Sequence, residues 1–250
     1  RNVARSVQHR LALPLLFLAQ RHFRSPPHTR HHTLAHHHAL SMRLREAGAL
    51  RNDRNVVEAA VSQNGLAIQF ASADLLRKND DVRCLAVQND PNALQFITNG
   101  QSYELALPAV TTDGLSLRYL TAELRAEKEI CLLAVAQNGL ALEHCAFALQ
   151  GDPEVALAAV QHDGLALEYC NDALRSEPTI VREAVVENFR AFAYASVSMA
   201  NCADVIAAAR GAAAAADDTR SGSCAECAIE VEKMIDEKRG LVRTRNSIQA

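Results

Sequence analysis

The sequence predicts an all-α protein: an α-solenoid of about six tandem two-helix repeats, with a non-repeat segment before it and a helix after it. Three observations predict this. The dipeptide Ala-Val recurs at Ala60-Val61, Ala86-Val87, Ala109-Val110, Ala134-Val135, Ala159-Val160 and Ala184-Val185, with steps between Val residues of 26, 23, 25, 25 and 25. Ala, Leu, Glu and Gln are helix formers, and β-branched residues are scarce in the second half of each copy. A helix pair this short cannot bury its apolar face alone, whereas stacked neighbours can.

Residues 1–45 come first. They hold eight Arg, no Lys, no acid and eight of the ten His. The chain opens on Arg1, and Arg10 precedes an apolar run from Leu11 to Ala19. A basic start followed by an apolar run resembles a secretory signal, and the Arg-rich, acid-free character resembles an organellar transit peptide. The alternative is a disordered or non-native extension, with translation starting near Met42. His28, His31, His32, His36, His37 and His38 lie beside Pro26-Pro27 with no Cys or acid nearby. They read as a solvated low-complexity tract rather than a metal site.

The repeat array occupies residues 46–210. Five residues before each Val stands an aliphatic: Val56, Val82, Leu105, Ile130, Val155 or Ile180. With the Ala and the Val it forms one face of a first helix. The small Ala marks where two helix backbones approach. Three residues after the Val stands Asn64, Asp90, Asp113, Asn138, Asp163 or Asn188, followed in four copies by Gly65, Gly114, Gly139 or Gly164. Asn/Asp-Gly is expected to end the first helix through a left-handed glycine. Large apolar residues follow at Ile68, Leu94, Leu117, Leu142, Leu167 and Phe192, then rings at Phe70, Phe96, Tyr119, His144, Tyr169 and Tyr194. With Leu75, Leu124, Leu149, Leu174 and Met199 these fit one second helix; the short second copy lacks this last slot. A strand competes, because Leu140 to His144 alternates in polarity. Pro153 and Pro178 fall near the start of a first helix, where a missing N–H costs nothing. Residues 200–211 read as a degraded seventh first helix, a cap.

Residues 211–223 read as a linker, with five Ala and Ser221-Gly222-Ser223. Residues 224–250 read as a C-terminal amphipathic helix and tail, whose Ile229, Met234 and Ile235 offer an apolar stripe. Cys224 and Cys227 form a single C-x-x-C, which lacks the second pair that zinc needs and the βαβ context of a redox motif.

The motif V-x-x-x-A-V-x-x-[ND]-G-L-A-L-x-[YF] resembles the tandem module known as domain of unknown function 4116. VVEAAVSQNGLAIQF, ICLLAVAQNGLALEH and VALAAVQHDGLALEY are close to it, and LALPAVTTDGLSLRY is a fair match. The second and sixth copies lose the Gly. The resemblance covers roughly residues 50–200. It implies tandem repeats and brings no catalytic residue with it.

Composition and charge exclude several classes. There is no Trp, with 4 Tyr and 7 Phe, so an aromatic nucleic-acid platform is not expected. Residues 46–210 hold 12 basic and 22 acidic residues, a balance that repels phosphate backbones. No apolar run reaches the roughly 18 residues of a membrane span. The 7 Cys are odd in number and irregularly spaced, which fits reduced thiols in a cytoplasmic or organellar compartment. Cys131, Cys145 and Cys170 share slots with Val, Ala, Leu and Ile and read as core. His144 replaces a ring, and His162 shares a polar slot with Gln63 and Gln137. Glu143, Glu168, Asp113 and Asp163 recur with the repeat and read as caps or solvated residues.

No catalytic residue, metal or cofactor is assigned. The expected function is a non-catalytic helical-repeat scaffold for another protein, with variable solvent slots such as Ser62-Gln63, Thr111-Thr112 and Gln161-His162. The alternatives are a structural accessory subunit of an organellar assembly, motivated by the basic N-terminus, or a fragment of a larger enzyme or regulatory protein.

Overall fold

The computed structural model describes residues 48–216 and 224–249. The basic segment 1–45, with its histidine tract, therefore lies outside the described residues. Among the described residues every regular element is a helix. In chain order the α-helices are α1 (Arg54–Gln63), α2 (Ala73–Lys78), α3 (Asp80–Asn89), α4 (Tyr103–Thr112), α5 (Ala122–Arg125), α6 (Lys128–Gln137), α7 (Phe147–Gln150), α8 (Pro153–His162), α9 (Pro178–Glu187), α10 (Ala203–Ala216) and α11 (Cys224–Gln249). They fall into two compact units, one ending at Leu124 and the other starting at Arg125.

Helices α1, α3, α4, α6, α8 and α9 open the six copies. Each buries its Ala and Val: Val61, Val87, Val110, Val135, Val160 and Val185 are all 0% exposed, and no Ala of the register exceeds 2%. Pro153 and Pro178 sit at the first positions of α8 and α9, as the sequence predicts.

The residue after each helix does two jobs. Asn64, Asp90, Asp113, Asn138, Asp163 and Asn188 are extended, with φ between -139° and -149°. Each sends its own N–H back to the register Ala carbonyl, closing the first helix. Each side-chain oxygen then accepts the N–H two residues on, opening a six-residue 3-10 helix. Asn138→Ala is therefore expected to cost about 1 kcal/mol, while Asn138→Asp is close to neutral. Urea melts of the three proteins check this.

The glycines after these residues do not have the left-handed conformation the sequence suggested. Among the described glycines positive φ belongs to Gly100 instead. The cause is proximity. A Cβ on Gly65 would lie 2.4 Å from the Ala86 carbonyl oxygen, one on Gly139 2.4 Å from that of Ala159, and one on Gly164 2.2 Å from that of Ala184. Each glycine thus lets the next copy's first helix rest its register Ala on the 3-10 helix.

The 3-10 helices are Gly65–Phe70, Pro91–Phe96, Gly114–Tyr119, Gly139–His144, Gly164–Tyr169 and Phe189–Tyr194. They replace both the strand and the single second helix as readings of the alternating stretch. Leu142 is fully buried, Leu140 and His144 are half-buried, and Glu143 is exposed. The next residue, Ala71, Leu120, Cys145, Cys170 or Ala195, is extended with ψ from 151° to 156° and ends the 3-10 helix. A short third segment follows, carrying the last slot: Leu75 on α2, Leu124 on α5, Leu149 on α7, and Leu174 and Met199 on further 3-10 turns.

A backbone ladder ties these third segments together. Ser72 donates its N–H to the Arg51 carbonyl at 2.8 Å in the first unit. In the second unit Ala146 donates to Arg125, Asn171 to Gln150 and Ser196 to Arg175, at 2.9, 3.3 and 2.8 Å. The short second copy has no third segment, and side chains supply the missing groups. The Gln101 Oε1 accepts the Thr121 N–H at 2.8 Å, and its Nε2 donates to the Ile97 and Tyr119 carbonyls.

The final copy is closed by the last two helices. α10 buries Val205, Ile206, Ala209 and Ala213 and packs on α9. It runs through Gly211 to Ala216, so the segment expected to be a linker from 211 begins as helix, because Ala is the strongest helix former. Residues 217–223 lie outside the described residues. α11 packs on α10 and on the 3-10 helices of the sixth copy. Its buried stripe is Val231, Ile235 and Lys238, with Met234 half-buried; Ile229, expected in the stripe, is exposed. Arg239 donates from Nε to the Ala200 carbonyl at 3.2 Å. Ala200 holds the ladder position of Arg125, Gln150 and Arg175, and here an arginine side chain donates to that carbonyl.

Candidate binding surfaces of the repeat array

The residues that define the repeat are buried. Ala60, Val61, Gly65, Ala86, Val87, Ala109, Val110, Gly114, Ala134, Val135, Gly139, Ala159, Val160, Gly164, Ala184 and Val185 all belong to the interior. They position surfaces rather than contact anything outside.

The recurring polar residues are engaged within the array. His162 accepts the Gly139 N–H on Nδ1 at 3.2 Å, satisfying a donor at the start of the neighbouring 3-10 helix. Asn89, in the same slot, donates to the Val61 carbonyl at 2.9 Å. Tyr169 is hydrogen-bonded to Glu143 and Tyr194 to Glu168, each linking one copy to the one before. Burial and the Glu143 and Glu168 charges raise the Tyr169 hydroxyl above its usual value. For Tyr194 the Glu168 charge is the larger cause.

Two buried thiols, Cys145 and Cys170, are held in the protonated form. Cys145 is hydrogen-bonded to Cys131, and that bond together with burial pushes its thiol far up. Burial pushes Cys170 up to about 12. A thiol that stays protonated is a poor nucleophile and a poor metal ligand. Among the described residues no group of three His, Cys, Asp or Glu is placed to hold a metal ion. The C-x-x-C lies on the first turn of α11, with Cys227 half-buried.

Ion pairs cross between neighbouring first helices. Arg54 pairs with Asp81 at 3.1 Å. Lys128 reaches both Asp152 and Glu154 at 2.8 Å. For Asp152 burial works upward, but the Lys128 ammonium and the N–H groups of Val155 and Glu154 outweigh it and hold the carboxyl below its usual range. A carboxyl with a lowered folded value adds stability above its unfolded value, and that stability is lost as the pH falls through the folded one. The second unit is therefore expected to be insensitive to Asp152 protonation above about pH 5 and to lose this contribution below about pH 4. Asp152→Asn should flatten that part of a stability-against-pH profile measured by urea melts.

α8 and α9 leave a groove of about 570 Å³ between them. Its floor is Leu157, Leu174 and Ile180, and its rim is Pro153, Gln161, Glu177, Thr179, Arg182 and Glu183. Outside it, Phe147 stands 80% exposed at the start of α7 and Val186 54% exposed on α9.

Sequence reasoning missed Arg83, Gln101, Lys128, Lys238 and Arg239. Arg83 was visible in principle: it occupies the slot of Val57, Ala106, Cys131, Ala156 and Val181, where the register is otherwise apolar. Lys238 is buried and donates to the Ala193 and Ala195 carbonyls, and burial lowers its ammonium below the usual lysine value.

No helix among the described residues is long and apolar enough to cross a membrane. The family described as Domain of unknown function (DUF4116) matches residues 53–99, 102–150 and 152–199, more than half of the chain. Each matched stretch spans two of the copies defined above. No curated protein and no solved structure matches the chain.

Proposed function

We propose, starting from the fact that this chain belongs to the DUF4116 family, that it is a non-catalytic scaffold which binds another protein through the solvent-facing slots of its repeats. One observation carries this reading. The slots that hold the frame repeat from copy to copy, whereas the slots beside them differ: Ser62-Gln63, Thr111-Thr112 and Gln161-His162 occupy equivalent positions and are exposed apart from the half-buried Gln161. A regular frame that displays varied side chains suits recognition of an extended partner. The bonding of His162 within the frame and the burial of Cys145 and Cys170 as protonated thiols support the non-catalytic part of the reading. A large exposed ring such as Phe147 is the kind of residue that anchors an interface.

The test is affinity capture on the immobilised full chain beside a Phe147→Glu, Val186→Glu copy. Both positions are exposed, so the fold is expected to survive. Proteins held by the native surface and lost from the altered one support the scaffold reading. Equal or empty captures from two well-folded proteins count against it.

A further inference from the structure

Ion pairs bridge neighbouring first helices at α1–α3 and at α6–α8, and among the described residues none bridges α8 and α9, where the groove lies. Two earlier pairs of copies place a cation seven residues before the register Val and an acid on the next first helix. Arg54 meets Asp81, and Lys128 meets Asp152 and Glu154. In the groove the equivalent of Lys128 is Pro153, which has no charged head. Glu177 keeps the Asp152 position, and Thr179 replaces the second acid.

Glu177 is exposed and has no cation opposite it on α8. The Glu177 carboxylate accepts the Thr179 hydroxyl at 3.1 Å, and it makes no ion pair among the described residues. Glu183 is matched by Arg182 at 2.6 Å, so the rim carries one uncompensated negative charge. The exposed apolar surface of the groove is that of Pro153 and the half-buried Leu157, above Leu174 and Ile180, which are 7% and 4% exposed. Where Lys128 carries a long stem and an ammonium, Pro153 has only its ring, so no side chain of α8 reaches from this position to Glu177. A long side chain with an apolar stem and a cationic head fills both needs at once.

We propose that this groove takes a lysine or arginine side chain from an extended segment of the partner, its stem on Leu157 and Ile180 and its head at Glu177. The proposal rests on the scaffold reading and names the chemistry of what is bound. The occupant's chemistry is the one Lys128 already shows on the neighbouring pair of copies. A volume of about 570 Å³ is within the range of sites that hold a peptide side chain and its flanking residues. Gln161 on the rim supplies an amide to pair with the partner's backbone.

The experiment uses the full chain with labelled Ile and Leu methyl groups, followed by NMR. It is titrated with the capped peptide acetyl-Leu-Lys-Leu-amide and with the same peptide carrying norleucine, which keeps the stem and lacks the ammonium. The lysine peptide is expected to shift Ile180, Leu157 and Leu174 saturably. Norleucine should bind about fivefold more weakly, the scale of one solvent-exposed ion pair. Glu177→Gln should remove that difference, and Pro153→Lys should block both peptides by supplying the cation from within. Equal binding of the two peptides, shifts confined to other methyls, or an unaltered preference in Glu177→Gln would each overturn the proposal. Specific capture in the preceding experiment would still stand after such a failure, so the groove and the scaffold reading fail separately.

Discussion

Gly164→Ala is expected to destabilise the second unit by about 3 kcal/mol, at the upper end of ordinary overpacking. The added Cβ meets the Ala184 carbonyl oxygen at 2.2 Å, the Asn188 N at 3.0 Å and the Asn188 Cβ at 3.1 Å. Two of these are backbone atoms of α9 and its cap, and Ala184 is itself fully buried. Relief therefore requires the whole helix to move away from the 3-10 helix, not one side chain to rotate. The same substitution at Gly211 or Gly240 has the opposite sign. Both lie within helices and a Cβ there meets nothing within 4 Å, so alanine gains about 0.5 to 1 kcal/mol. Gly164→Asn separates the two accounts of this glycine. Asparagine tolerates a left-handed backbone, so it would be the milder change if conformation mattered. If proximity matters, asparagine is at least as harmful as alanine. Thermal melts of the four single variants decide this, and a milder asparagine would refute the packing account.

That distinction shows what the sequence can and cannot reveal. The Ala-Val register, the six copies and the helical class follow from spacing alone, because buried positions must recur wherever identical elements stack. The Asn/Asp residues were also visible, and their place as caps follows from residue type. The glycine's purpose was not visible. A left-handed turn and a close approach both demand glycine, and they differ only in what lies opposite, which here is a carbonyl some twenty residues further along the chain. The second helix was misjudged for a related reason. A six-residue 3-10 turn followed by one extended residue keeps nearly the same apolar spacing as two turns of α-helix. Ile68 and Leu75 are buried in either arrangement. The groove was illegible because it is defined by how far α8 and α9 stand apart, which no residue pattern states. Pro153 reads in sequence as a helix start, and only the Lys128 bridge next to it shows what the proline omits.

Arg83→Ala is expected to cost about 3 kcal/mol or more, although every other copy has a small or apolar residue at this slot. A substitution toward the repeat consensus usually stabilises, so this position is a sharp test of whether the register governs every residue. It does not, because the second copy is short. Where the other copies place a third segment, this one has only the turn through Asn99 and Gly100. The Arg83 side chain, 7% exposed, crosses that space. Its Nη1 donates to the Asn99 and Gly100 carbonyls at 2.9 and 2.8 Å, and its Nη2 contacts Asp80. Alanine leaves two carbonyls without donors and empties the volume the guanidinium filled. Methionine restores the volume without the donors, so it should fall between the two. The same geometry predicts coupling to Gly100, whose φ is +71° and whose added Cβ would lie 2.3 Å from the Arg83 Nη1. Gly100→Ala is penalised twice in the native chain, by backbone strain and by this clash. In the Arg83→Ala background only the strain remains. A double-mutant cycle should therefore show the two changes costing less together than apart, by about 1 kcal/mol. Strict additivity would mean that the arginine fills the gap without shaping the turn beneath it.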